Sequence, residues 1–314
     1  YQAVVSEECA RAGVSFGGYG VHINLVLPYL LKYGSEEQKK RWLPPFVSGE
    51  MMTAIAMTEP GTGSDLAGMQ TTARRDGDHY VLNGAKTFIT GGVLADRVLV
   101  VARTSPPTPE NRRAGLSILA VDTKSEGYAV GRKLEKIGLR SSDTAELSFT
   151  DVRVPVEDLL GEEGRGFEYL THNLAEERLG IAPSAYASAA AAVEFTRKYV
   201  QERTVFGKTV SSFQNTKFVL AECATEVEAA RSLVDRCIEA LDEGELTPAD
   251  AAMCKLFCTE VQGRVVDKCL QLHGGYGYIL EYPIARLYTD ARVSRIYGGT
   301  SEVLKTIIAK DIKV

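Results

Sequence analysis

Tyr80-Val81-Leu82-Asn83-Gly84-Ala85-Lys86-Thr87-Phe88-Ile89-Thr90 is the stretch whose reading decides the fold. Tyr80-Val81-Leu82 has the aromatic and branched side chains that suit a pleated strand. Asn83-Gly84 is the dipeptide preferred by two-residue hairpin turns, which need positive φ, and residues 86–90 then alternate outward and inward. The stretch predicts a β-hairpin. Working outward, residues 98–101, 116–121, 145–149 and 152–154 are further strand candidates. Pro- and Gly-bearing segments such as 105–115 separate them. No helix of ordinary length fits between these strands, which argues against a parallel βαβ sheet. An antiparallel barrel or sandwich is expected.

Both flanks have the helical period instead. Before the strands, Val4, Val5, Ala12 and then Val26, Leu27, Leu30, Leu31 recur at helical spacing. Gly34 reads as a helix stop, Ser35 with Gln38 as a capping box, and Pro44-Pro45 as the end of the next helix. After the strands, residues 205–240, 248–272 and 301–312 show i, i+3, i+4 apolar spacing, and the Ala-rich run 185–192 lets helices approach closely. The expected fold class is α+β and multidomain: an N-terminal α-helical domain (1–54), a central antiparallel β-barrel or sandwich (55–165) and a C-terminal α-helical bundle (166–314). There is no initiator Met and no signal peptide. Tyr1 opens directly into a helical pattern, so a further N-terminal segment is expected before it.

Composition narrows the function. The 314 residues are 45% hydrophobic and 25% charged, as in a soluble globular protein. A net charge of −5 argues against a nucleic-acid partner, which needs a basic face. The longest apolar run, 187–193, is interrupted by Ser188 and is far short of the ~20 residues of a membrane span. Six scattered cysteines do not form a disulfide framework and suit a reducing compartment. Cys254 and Cys258 share a helix face, but no His or second Cys pair completes a zinc site, and no metal is expected. The chain has no GxGxxG and no HExxH. Gly207-Lys208-Thr209 resembles the end of a P-loop, but Glu202 stands where the first Gly belongs.

What remains is a set of polar, Gly-rich turns and one carboxylate. Thr58-Glu59-Pro60-Gly61-Thr62-Gly63-Ser64-Asp65 can turn backbone N–H and hydroxyl groups toward an anion, or can simply be a turn. Arg203-Thr204-Val205-Phe206-Gly207-Lys208 offers two cations and an aromatic at an expected helix start. His273-Gly274-Gly275-Tyr276-Gly277-Tyr278 follows a helix end, and Tyr297-Gly298-Gly299-Thr300-Ser301 precedes the last helix. Leu170, Leu174, Glu177 and Ile181 are spaced +4, +3, +4, so Glu177 interrupts an apolar stripe while Glu176 points elsewhere. A desolvated carboxylate gains basicity toward a carbon acid, though the spacing equally fits a buried Glu paired with Arg178 or another cation.

Together and in this order, these motifs resemble the acyl-CoA dehydrogenase family along the whole chain. Residues 56–65, Ala-Met-Thr-Glu-Pro-Gly-Thr-Gly-Ser-Asp, are similar to its first signature. Residues 271–277, with 295–302 (Arg-Ile-Tyr-Gly-Gly-Thr-Ser-Glu), are similar to its second. The resemblance implies FAD as cofactor and oxidation of the Cα–Cβ bond of an acyl-CoA thioester to a trans-2-enoyl-CoA, the β-hydrogen passing as hydride to flavin N5. It implies that Met57 and Thr58 line the flavin ring, that Ser64 lies near the FAD phosphate and the thioester, and that Phe88, Ile89 and Thr90 hold the other side of the ring, with Thr90 near N5. Arg203, Phe206 and Gln214, completed by Gln271, Gly274 and Gly275, would bind the ADP part of FAD from a neighbouring subunit. Thr300 and Glu302 would return to the first subunit's FAD. Arg178, Tyr297, Gly298 and Gly299 are implied on the substrate side. The implied partners are acyl-CoA, an electron-transfer flavoprotein and further copies of the chain, usually as a homotetramer. The implied compartment is bacterial cytoplasm or mitochondrial matrix.

One departure matters. Many family members carry the catalytic Glu after the Tyr of the last signature, and here Gly298 stands there. The long-chain and isovaleryl branches place the base on an earlier helix in a Glu-Arg-Leu context, which Glu177-Arg178-Leu179 matches. With the Gly-Gly of 298–299, the chain looks most like the long-chain branch. The resemblance then makes Glu177 the base, with a flavin ribityl hydroxyl and the Gly298 N–H polarising the thioester carbonyl. An acyl-CoA oxidase, a flavin-dependent hydroxylase of the same fold and a non-catalytic paralogue are the competing readings.

Overall fold

A computed structural model describes residues 1–314. It turns the expected hairpin into one strand. Thr53–Ala56 (β1), Thr72–Asp76 (β2), His79–Thr90 (β3), Arg97–Arg103 (β4), Leu116–Asp122 (β5), Tyr128–Lys133 (β6), Thr144–Pro155 (β7) and Leu159–Leu160 (β8) form a single eight-stranded sheet. Its order is β6-β7-β3-β2-β4-β5-β8, with β1 beside β4. The β2–β3 turn falls at Asp76-Gly77-Asp78, where Gly77 has φ 64°. Asn83-Gly84 lies within β3 at a shift of register against β7. Gly84 has φ 147°, and a Cβ there would lie 2.6 Å from Thr71 Oγ1 and 2.8 Å from its Cα, so the glycine admits a close crossing of chain. Asn83 is tied to Asp151 by two hydrogen bonds of 2.9 and 3.0 Å.

The sheet is mixed rather than antiparallel throughout, because β1 runs parallel to β4 and β2 meets β4 in parallel at Thr72 and Arg103. The chain leaves β1 and passes through β2 and β3 before β4, so no tight hairpin forces β1 and β4 to run in opposite directions. β4 and β5 are buried on both faces. One face packs into a cluster with Ala54, Leu82, Leu147 and Phe149; the other meets Tyr29, Leu30, Trp42 and Phe46. That burial explains their continuous rather than alternating apolar runs.

The helices that cover this sheet are Tyr19–Val21 (α2), Leu27–Tyr33 (α3) and Glu36–Ser48 (α4), and Gln2–Ala12 (α1) precedes them. The Ser35–Gln38 capping box forms as expected. Pro44-Pro45 does not end α4 but lies inside it; the helix stops at Gly49, in the left-handed conformation. Burial of Trp42 and Phe46 on either side of the prolines holds the helix where local sequence alone would break it.

A π-helical turn, His22–Val26, precedes α3 and carries a buried imidazole. His22 Nδ1 accepts from the Thr53 N–H (3.1 Å), and Nε2 lies 3.2 Å from the Phe46 carbonyl, so the ring is neutral with its proton on Nε2. Burial holds its pKa below the ordinary value, against the Phe46 hydrogen bond. The folded state therefore binds fewer protons than the unfolded one, and stability falls as pH drops below about 6.5. Unfolding midpoints measured between pH 7 and 5 should show this slope, and His22→Gln should flatten it. An equal slope in the variant would remove His22 as its source.

The chain divides into two compact units. The sheet unit comprises residues 16–136 and 140–173. The helical unit comprises 1–15, 137–139 and 174–314. Its long elements are Gly166–Glu202 (α5) from residue 174 onward, Gln214–Asp242 (α6), Pro248–His273 (α7), Pro283–Ala291 (α8) and Ser301–Asp311 (α9). The core of the helical unit is made of small side chains, including Ala182, Ala185, Ala189 and Ala192, together with the free, fully buried Cys223, Cys237, Cys254, Cys258 and Cys269. The segment after α5 is not a helix start. Thr204–Val205 (β9) and Lys208–Thr209 (β10) pair as a ribbon, with Phe206 and Gly207 both at positive φ in its two-residue turn, and α6 begins only at Gln214. No helix is long and apolar enough to cross a membrane.

Candidate active site

Within the sheet unit, the first candidate turn and β3 are tied together from beneath. Glu59 is 6% exposed and Lys86 1%. Lys86 Nζ donates to Glu59 Oε1 at 2.9 Å and to the Met57 carbonyl at 3.1 Å. Glu59 also accepts from the Gln70 N–H (2.7 Å) and the Thr71 N–H (2.9 Å). Burial alone would raise the Glu59 pKa; the Lys86 ammonium and these hydrogen bonds outweigh it and hold the carboxyl low. Burial pushes Lys86 down to about 8, against the pull of Glu59. The pair ties the turn to β3 and to residues 70–71, and within the turn Glu59 and Thr62 exchange backbone bonds and Thr62 Oγ1 donates to the Asp65 carbonyl.

Above that foundation β3 is irregular. A second register shift, between Lys86 and Ile89, buries Lys86 and Thr87 in succession and turns Phe88 outward, 67% exposed at φ 58°. The Thr87 N–H donates to the Thr58 carbonyl at 2.9 Å, so the bulge and the Met57-Thr58 segment form one rigid piece. An exposed aromatic held in a left-handed conformation is a strained feature that its surroundings must enforce. The Met57 carbonyl points at the buried Lys86, and a trans peptide places the Thr58 N–H on the side away from that ammonium. Half-buried Met57, Thr58 and Thr90, the Phe88 ring and an outward N–H make an apolar wall with polar donors, which fits a planar heteroaromatic ring. Ile89 is 2% exposed and belongs to the core, its main chain paired with Ala145 and its carbonyl accepting from the Gly92 N–H at 3.2 Å. Ser64 is exposed on the turn.

In the helical unit, α5 carries Glu177 half-buried, with Glu176 exposed beside it. Arg178 is 6% exposed and donates from Nε to the Gly298 carbonyl at 3.3 Å; burial lowers its pKa while Glu177 raises it. Gly298 has φ 65°, and a Cβ there would fall 2.5 Å from Ile181 Cδ1, one helical turn beyond Glu177 on the same face of α5. Gly299, at φ 100°, offers its carbonyl to Lys255 Nζ at 2.7 Å. Tyr297 is exposed, and Thr300 caps α9 through the Val303 N–H, with Glu302 exposed in its first turn.

The other candidate residues of this unit gather at the far end of α7. Arg203 lies over the Tyr276 ring at 5.5 Å, and Tyr199, stacked on His273 at 4.3 Å, donates to the His273 carbonyl at 3.1 Å. Gly274 has φ 58°, and Gly274, Gly275, Gln271, Gln214 and Phe206 are all exposed, Phe206 at 94%. A cation, aromatic faces and open glycine backbone suit an adenosine diphosphate.

The matches to known proteins fall in three consecutive stretches of the chain. Residues 1–50, 54–152 and 164–313 match the N-terminal, middle and C-terminal domains of acyl-CoA dehydrogenases. The chain belongs to the acyl-CoA dehydrogenase family. It is 47% identical over 315 residues to the mitochondrial long-chain specific acyl-CoA dehydrogenase of Sus scrofa, covering 99% of this chain and 72% of that protein. The crystal structure of an acyl-CoA dehydrogenase from Geobacillus kaustophilus superposes with a TM-score of 0.97 at 50% identity, covering 100% of this chain and 82% of that one. A glutaryl-CoA dehydrogenase from Mycobacterium smegmatis, solved in complex with FADH2, superposes at 0.87 with 33% identity, over 93% and 74% of the two chains. As a member of this family the protein is an FAD-dependent oxidoreductase, with the helical, β and helical domain order expected from sequence.

The groups that hold these sites in place carry little local signal: Glu59 and Lys86 lie inside a turn and a strand, and the partners of Tyr199 and Lys255 are 74 and 44 positions away. A signal for Lys255 existed. It lies on a helix face with Ala251, Cys258 and Gln262, all buried, where an ammonium needs a specific partner.

Proposed function

We propose that the protein dehydrogenates fatty acyl-CoA thioesters between Cα and Cβ, with Glu177 as the base. One observation carries the assignment of the base. The space a side chain at position 298 would need is occupied by the tip of Ile181, while the carboxylate one turn earlier on that helix face is Glu177. Glu177 takes the α-proton onto a carboxylate oxygen, and its half-buried setting beside Arg178 limits its hydration. Gly298, without a side chain, leaves its N–H to meet the charge that develops on the thioester oxygen. Met57, Thr58, Ser64, Phe88, Ile89 and Thr90 hold the flavin end of FAD. Arg203, Phe206, Gln214, Gln271, Gly274 and Gly275 hold the ADP part of a neighbouring subunit's FAD, and Thr300 and Glu302 return to the first subunit's FAD. FAD, when bound, supplies an acceptor for the β-hydrogen and its electron pair. An electron-transfer flavoprotein then removes the electrons, and the assembly is a homotetramer. The 47% identity to the long-chain specific dehydrogenase of Sus scrofa supports long acyl chains as substrates.

The test is anaerobic mixing of the FAD-loaded protein with a panel of straight and branched acyl-CoAs. Bleaching of the oxidised flavin band is expected, strongest with long straight chains. Absence of bleaching with every thioester would overturn the reading. Peroxide release matching turnover in air would make the enzyme an oxidase instead.

A further inference from the structure

The Gly298-Gly299 turn is gripped from inside the bundle by two cations, and the second of them has no part in the chemistry proposed above. Lys255, on α7, is 0% exposed, and its ammonium donates to the Gly299 carbonyl at 2.7 Å. Arg178, on α5, takes the preceding carbonyl, that of Gly298. Both glycines are at positive φ, a backbone path that side-chain-bearing residues rarely follow and that needs outside contacts to define it. We infer that Lys255 is a positioning residue which, with Arg178, fixes the two peptides that follow Gly298 and thereby holds the Gly298 N–H in the direction that meets the acyl thioester.

The geometry follows from the planarity of the peptide bond. A trans peptide points its C=O and N–H in opposite directions, so a carbonyl fixed toward Arg178 sends the Gly299 N–H away from it. In the same way a carbonyl fixed toward Lys255 sends the Thr300 N–H away from the bundle interior. A carbonyl bonded to a cation also polarises its own amide, which strengthens the N–H on the opposite side as a donor. Lys255 is held in this role at a cost. Burial, with Arg178 nearby, depresses its pKa to about 8 and only Glu260 opposes this, so the structure retains a poorly solvated ammonium where Met or Leu would pack more easily. Two buried cations beside one turn also place positive potential where charge develops on the thioester oxygen.

The inference rests on the proposed dehydrogenation, and the test separates the two. The proteins compared are FAD-loaded wild type, Lys255→Met and Lys255→Gln. The spectroscopic readout is the Raman carbonyl band of bound dodecenoyl-CoA carrying ¹³C at the thioester. In wild type the band should move to lower frequency than in solution. In Lys255→Met it should return toward the solution value and the maximal rate of flavin reduction should fall about 10²-fold, while the Kd for acyl-CoA changes little. Lys255→Gln, which keeps a neutral donor, should lie between the two. An unshifted band in wild type would count against the dehydrogenation reading itself. Wild-type band position and rate in a folded, FAD-replete Lys255→Met would overturn the role of Lys255 alone. Failure of both variants to fold would also overturn it, by making Lys255 a residue of bundle stability.

Discussion

Glu177→Gln retains FAD and binds acyl-CoA with wild-type affinity, but its flavin is reduced on the order of 10³-fold more slowly. The amide has the shape of the carboxylate and cannot accept the α-proton, so binding contacts survive and only the step that needs a base is lost. Stopped-flow absorbance at saturating acyl-CoA separates the two, because a binding defect would be cured by more substrate and a missing base would not. Reduction within a few-fold of wild type would remove Glu177 from the chemistry. The expected size reflects the setting on α5: Gly298 has no carboxylate to substitute, and Glu176, one residue earlier, is exposed on another face of the helix.

Glu59→Ala should be the most destabilising single substitution in the sheet unit. It leaves the Lys86 ammonium buried without its partner and deprives two buried-side backbone donors, Gln70 N–H and Thr71 N–H, of their acceptor. Breaking a buried pair from one side costs about 3–5 kcal/mol, equivalent to a fall on the order of 10 °C in the unfolding midpoint. Adding Lys86→Met should recover part of the loss, because removing both charges avoids the stranded one. Calorimetry of the three variants checks this, and additive losses in the double variant would show that the two residues do not act as a pair. The pH dependence follows from the depressed Glu59 pKa. The contribution of the pair is present above the ordinary carboxylate pKa and is lost as pH falls through the lowered one. Flavin binding should report the same damage, since Met57 and Thr58 are held by Lys86 and Thr87.

How much could be read beforehand differs from residue to residue. The capping box at Ser35, the end of a helix at Gly34, the extents of α7 and α9 and the exposed strand-connecting turns are encoded in neighbours three or four positions apart, and all appear where the sequence places them. The half-buried place of Glu177 on α5, beside an exposed Glu176, is legible for the same reason, since a stripe is a property of one helix. Asn83-Gly84 and Pro44-Pro45 misled because their local preferences were overridden from a distance. Thr71 crosses against Gly84, and the burial of Trp42 and Phe46 carries α4 past its prolines.

The amino-acid order alone determined the succession of helical, β and helical segments, the absence of common nucleotide and metal motifs, and the polar turns and single carboxylate from which the chemistry is argued. Those features depend on period, capping and turn preference, which act over a few bonds. Only the tertiary structure decided that β1 lies parallel to β4, that Phe88 is forced outward at a bulge, and that Lys86 and Lys255 are buried against the carbonyls of Met57 and Gly299. Strand partners and the burial of a charge are set by residues tens to hundreds of positions away, and their energies arise only when those segments exclude water together.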